Sequence, residues 1–151
     1  MKTTLLYLIM LVMLTGCNLL KKGNPAGDML QKARTEYESG RYDEALNTIE
    51  QLRHKYPEAI EERREALKLF QEASLKQAQE DLARTDTLLE SAKKRYDMLQ
   101  HELLTGQWLK GDIQKKQQEM TEARRLRDSL QVRFDTQCAK IRYIHRKQKE
   151  E

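Results

Sequence analysis

Residues 75–103, LKQAQEDLARTDTLLESAKKRYDMLQHEL, decide the architecture. Their apolar or small members Leu75, Ala78, Leu82, Thr85, Leu89, Ala92, Tyr96, Leu99 and Leu103 follow one another in alternating steps of three and four. In a helix this spacing returns each side chain to nearly the same face, which draws an unbroken heptad seam. Upstream, Ile60, Leu67 and Phe70 extend the face, so the spacing predicts one helix over 58–104. At about 1.5 Å per residue it is roughly 70 Å long. Thr105 and Gly106 stop it, residues 106–111 (GQWLKG) form a loop, and Asp112 is placed to cap a last helix. Ile113, Met120, Ala123, Leu130, Phe134, Ile141 and Ile144 give that helix a stripe reaching to about residue 149. Lys116, Arg127 and Gln137 break the stripe, and the neighbours Leu126 and Cys138 partly mend it.

Charge indicates how the two long helices meet. Residues 28–103 carry 13 basic and 17 acidic side chains, net −4, whereas residues 104–151 carry 12 and 7, net +5. Opposite signs and a short loop favour an antiparallel hairpin within one chain. The seam fits equally well a pairing of either helix with a copy in another subunit, a homodimer through the helix seams.

Composition excludes the alternatives to an all-α chain. Of 151 residues, 38% are apolar and 34% charged, which is too polar for a large compact core and normal for narrow helix seams. With 2 prolines, 6 glycines and 6% aromatics, neither a sandwich, a barrel nor a Pro/Gly-rich disordered tail is indicated.

Ahead of the rod lies a shorter pair of helices. Asn24 suits an N-cap and Pro25 the first helical position, where no amide donor is needed. Met29, Leu30, Ala33 and Tyr37 then recur at helical spacing until Gly40. A second helix starts near Tyr42 or Asp43, buries Ala45, Leu46, Ile49, Leu52 and Tyr56 on one face, and stops at Pro57. Residues 33–57 thus read AxxxYxxGxYxEALxxIxxLxxxYP. On Ala33, Tyr37, Gly40, Tyr42, Ala45, Ile49, Leu52 and Pro57 the segment resembles a tetratricopeptide repeat. That resemblance implies a close helical hairpin: Ala33 and Ala45 admit near approach, Gly40 turns the chain, Pro57 ends it. A shift of 34 residues puts Gln79 in the place of Ala45 and Ser91 in that of Pro57, so no second repeat follows. The peptide groove of repeat arrays, which need about three copies, is therefore not carried over.

The first segment reads as an address. Lys2 and the apolar run from Leu5 to Leu14 have the charged start and the length of an export signal, about 7–15 residues, and fall short of the roughly 20 needed to span a bilayer. The run ends in Leu14-Thr15-Gly16-Cys17. This resembles the lipobox of bacterial lipoproteins: a branched apolar residue, two small ones, then cysteine. The resemblance implies cleavage between Gly16 and Cys17 and fatty acylation, palmitate-like chains included, of Cys17. Asn18, not Asp, implies sorting to the outer membrane by the rule of enteric bacteria. Residues 1–16 are then a removable signal, 17–27 the lipidated cysteine and its tether, 28–57 the repeat-like pair and 58–151 the long helical hairpin. With Cys17 acylated, Cys138 is the one thiol left, and its place in an apolar pattern suits a buried structural cysteine.

Catalytic chemistry is not expected. His54, His101 and His145 stand at no metal-ligand spacing from one another or from Cys138, and no phosphate loop or nucleophile elbow appears. The chain reads as no enzyme, with no metal and no cofactor besides the covalent lipid. Lys140, Arg142, Arg146, Lys147 and Lys149 admit two readings, contact with anionic lipid or nucleic acid and, the commoner role, complementing the dipole of a last helical turn and keeping its end soluble; no nucleic-acid partner is expected of an exported protein. Trp108 either plugs the end of the rod or serves as a contact residue at an exposed tip. The expectation is an envelope lipoprotein, anchored to a membrane through Cys17, that works as a binding scaffold or adaptor for an envelope protein in the periplasm. The alternatives are a self-associating coiled-coil tether and a lipid- or membrane-binding accessory protein.

Overall fold

The computed structural model describes residues 23–150. The expected signal, Gly16, Cys17 and the tether to residue 22 lie outside the described residues. Four helices follow in order: α1 (Pro25–Glu38), α2 (Tyr42–Lys55), α3 (Ile60–Thr105) and α4 (Lys110–Glu150), with no strand among the described residues. The fold is all-α. A short hairpin, α1 with α2, precedes a long antiparallel hairpin, α3 with α4.

The start of α1 is fixed by local chemistry. Asn24 accepts a 3.0 Å hydrogen bond from the Gly27 amide, and Pro25 occupies the first turn. The last three residues of the expected tether, 25–27, are therefore helical. The Asn24 amide also donates to Glu62 Oε1 at 2.7 Å, which ties the start of α1 to the first turn of α3.

Gly40 closes α1 at φ +73°, a left-handed conformation costly for any residue with a Cβ. The Arg41 amide reaches the Glu36 carbonyl and the Gly40 amide that of Tyr37, both at 2.9 Å, the two bonds of a Schellman cap. The reversal lays α2 against α1 through Ala33, Ala45, Ile49 and Leu52, all fully buried. Truncating Ile49 to Ala would cost about 2–5 kcal/mol. A carboxylate joins this contact: buried Glu36 accepts a 2.7 Å hydrogen bond from the Thr48 hydroxyl. Helix α2 ends at Lys55 because Tyr56 precedes a proline and leaves helical geometry (φ −127°, ψ 64°). Pro57 stands exposed in the turn beyond.

Helix α3 serves two partners on two faces. Ala66, Leu69 and Ala73 are buried, Ala66 and Leu69 in one cluster with Leu30, Ala33, Ile49 and Leu52 of the short hairpin. From Leu75 onward every position of the predicted seam is buried or half-buried. The upstream extension of that seam is corrected: Ile60 is 65% exposed, Leu67 is 39% exposed, and Phe70 packs on the short-hairpin cluster. The reason is steric. The short hairpin seats on a neighbouring face through the alanines, and α4 ends at Glu150, which on the level set by Lys140 and Gln77 falls near Leu67 and short of Ile60.

As residue numbers fall along α3 they rise along α4. Glu102 meets Lys116, Tyr96 meets Arg127, Asp81 meets Arg133 and Gln77 meets Lys140. The seams thus close on each other within one chain, and Asp81–Arg133 and Glu102–Lys116 join the acidic helix to the basic one. The loop is shorter than predicted, because the Leu109 carbonyl already accepts from the amides of Asp112 and Ile113. Asp112 lies in the first turn instead of at the cap, where its charge still favours the helix dipole. Leu126 does not mend the stripe: one residue off the seam is about 100° round the helix, and its side chain is 53% exposed. Cys138 is a free, half-buried thiol. Among the described residues no helix is long and apolar enough to cross a membrane.

Candidate functional site

Each end of α3 presents apolar surface. The first lies beside the short hairpin. Leu46 of α2, Leu67 and Phe70 of α3, and Tyr143 and Ile144 of α4 line a mainly apolar groove of about 550 Å³. Lys140 and Lys147 stand on its α4 rim. The Lys140 ammonium donates to Gln77 at 3.2 Å, and that of Lys147 pairs with Glu150 at 2.7 Å. This pairing holds the Lys147 ammonium above its ordinary pKa and the Glu150 carboxyl below.

The repeat-like residues lie together behind this groove. Ala33, Ile49 and Leu52 share the buried cluster with Tyr37 packed on it. The Tyr37 and Tyr42 rings tilt together at 5.8 Å across the Gly40 turn. Burial, reinforced by the charge of Glu72, pushes the Tyr37 phenol up. Pro57 stands apart from the cluster, in the α2–α3 turn.

The second region is the far tip. The Trp108 ring folds back over Gly106, so close that a Cβ there would collide with it. The Lys116 ammonium sits 5.8 Å from the ring centre and pairs with Glu102 at 2.8 Å and Glu119 at 3.4 Å. The hydrogen bond to Glu102 dominates and holds the lysine above its ordinary pKa. The indole N–H is buried with no acceptor. On either side of Trp108, Leu104 and Leu109 are each 79% exposed.

Sequence reasoning passed over the groove and the tip leucines. A signal for the groove was present in the adjacent apolar pairs Ala45-Leu46 and Tyr143-Ile144. Neighbours on a helix point about 100° apart, so a single seam cannot absorb both members. Leu67 also suits an extension of the long seam, and nothing local in the sequence shows which face of α3 the short hairpin takes.

His54, His101 and His145 are exposed and scattered. Among the described residues no group of three or more His, Cys, Asp or Glu side chains could hold a metal ion. The arrangement suits binding: apolar surface bordered by cations at one end, exposed leucines at the other. No protein-family model matches the chain, and neither a curated protein nor a solved structure matches it.

Proposed function

We propose that this chain is a bacterial envelope lipoprotein, held to the outer membrane by acyl chains on Cys17, and that it works as a scaffold binding another envelope protein. The Leu14-Thr15-Gly16-Cys17 motif after an apolar run supports the anchor. Two or three acyl chains bind far more firmly than one, at about 0.8 kcal/mol per buried methylene. The Asn24–Glu62 hydrogen bond carries the scaffold reading. It ties Asn24 to the root of α3, and the seven residues from Cys17 to Asn24 span at most about 25 Å, which supports an anchor on the side of the short hairpin. The tip then stands about 65 Å away, at 1.5 Å per residue from Glu62 to Thr105.

Replacing Cys17 by Ser tests the anchor. The variant is expected to leave the membrane fraction or to keep its signal uncut, and to take up no labelled palmitate; unchanged fractionation and labelling would sink the reading. In-cell crosslinking followed by mass spectrometry tests the scaffold. One envelope protein should recur among the adducts, and a folded, abundant chain yielding none would count against it.

A self-associating tether is the second reading, favoured by Leu88 and Leu126, apolar side chains left about half exposed on the rod. Mass in solution decides it for the unlipidated chain, and a monomer rules it out.

A further inference from the structure

The Cα atoms of α2 and α4 stay more than 8 Å apart, so the two helices flank α3 without packing on each other. The groove between them has helices for both walls and for its floor. Its lining spans Leu67 to Ser74 of α3 and Lys140 to Lys147 of α4, with Leu46 as the α2 wall, so it follows the rod for about 10 Å, the length of two turns of another helix. Leu67 at 39% and Tyr143 at 53% leave apolar atoms facing solvent there. Charge marks the occupant. Lys140 and Lys147 lie seven residues apart on the same face of α4, which sets their stems about 10.5 Å apart along the rim. Arg146 adds a cation at its edge, its guanidinium 5.4 Å from the centre of the Tyr143 ring. A single lipid head group or free carboxylate reaches one of the two lysines. A helix lying in the groove with carboxylates seven residues apart reaches both.

We propose that this groove binds an acidic amphipathic helix of a partner protein. The apolar stripe of that helix covers Leu46, Leu67, Phe70 and Ile144, and its carboxylates pair with Lys140 and Lys147. The inference rests on the scaffold reading and names the surface that does the binding.

The test uses the full chain in phosphatidylcholine nanodiscs. Two fluorescein-labelled helical peptides serve as probes, each with leucines at i, i+3, i+4 and i+7, one flanked by glutamates and the other by lysines. The acidic peptide should bind about tenfold or more tighter than the basic one. Leu67→Glu or Tyr143→Glu should each weaken it about tenfold; both positions are exposed enough for the fold to persist, which circular dichroism checks. Lys140→Glu with Lys147→Glu should reverse the preference between peptides, an outcome that misfolding cannot produce. Leu88→Glu, on the rod away from the groove, should change nothing. Equal binding of both peptides, or acidic binding indifferent to Leu67→Glu, overturns the proposal. So does binding only to phosphatidylglycerol vesicles, or a chain dimer that Leu67→Glu dissolves. If the peptide fails while in-cell crosslinking still recovers an envelope protein, the groove falls and the scaffold stands; failure of both experiments removes both.

Discussion

The guanidinium of Arg127 lies 4.2 Å from the centre of the Tyr96 ring, so a cation at an apolar seam position is laid on an aromatic face. Its donors turn to the neighbouring Asp128 carboxylate at 2.7 Å, which holds the guanidinium above its ordinary pKa. The pair fixes which level of α3 faces which level of α4. Such an interaction is worth about 0.5–2 kcal/mol, depending on desolvation. A double-mutant cycle with Tyr96→Leu and Arg127→Leu, read from urea unfolding, should give a coupling in that range, about 0.5–1 kcal/mol for this partly exposed pair. Additive losses would mean the stacking contributes nothing.

Gln137 is the unmatched member of the three polar seam residues, with its side-chain oxygen buried and lacking a donor. Leaving such a group unpaired costs about 1–3 kcal/mol. Gln137→Leu should therefore raise stability by about 1–2 kcal/mol, measurable as a higher urea midpoint at unchanged slope. Lys116→Leu serves as the contrast, because it gives up the Glu102 and Glu119 pairs and should gain less.

Gly40 meets nothing within 4 Å of where a Cβ would lie, so substitution there strains only the backbone. Gly40→Ala should lower stability by about 1–2 kcal/mol, and Gly40→Asn by less, since Asn tolerates the left-handed region. Thermal unfolding of the three chains checks the order.

Glu62 carries an acid dependence. The hydrogen bond from Asn24 lowers its carboxyl pKa in the folded chain. A lowered folded value means that this stabilisation is present above the ordinary glutamate pKa and is lost as pH falls through the folded value. Glu62→Gln should flatten the acid limb of the stability curve below pH 4.5. Asn24→Ala should do the same and in addition remove the α1 cap, at about 1 kcal/mol at every pH. An acid limb of unchanged slope in Glu62→Gln would refute the link.

Trp108 is the sole tryptophan, which makes the tip visible by fluorescence. Gly106→Ala forces the ring off its seat, so its emission should shift to the red while far-UV circular dichroism of the long helices holds. An unshifted spectrum would mean that the backbone yields instead of the ring.

The long helices and their antiparallel pairing were legible because an uninterrupted alternation of three and four admits one periodic structure, and because opposite net charges meet across it. The Schellman turn was legible in Gly40 for the same kind of reason: one residue type suits that backbone. Where α3 changes partner was not. Ala66 and Ala73 look like ordinary helix formers, and only the seated short hairpin shows that they admit its close approach, while Ile60 is left bare. Lys116 and Arg127 read as flaws until the facing residues, Glu102 and Tyr96, came opposite them at separations of 14 and 31 residues, which no local pattern encodes.

Because α3 is continuous through both packing regions, it stores direction as well as length. One residue inserted between Ser74 and Leu75 would turn the contacts of the short hairpin at Ala66, Leu69 and Ala73 by about 100° relative to the α4 seam, shift them about 1.5 Å along the rod, and set them against the Gln77–Asp43 hydrogen bond. The groove wall formed by Leu46 would leave Tyr143 and Ile144 with that hairpin. Seven residues inserted there, matched by seven in α4, would lengthen the rod by about 10 Å and return the hairpin to nearly the same azimuth, within about 20°. The reach of this protein can therefore be altered in whole heptads, while its aim is set where α3 passes from the short hairpin to α4, around Ser74.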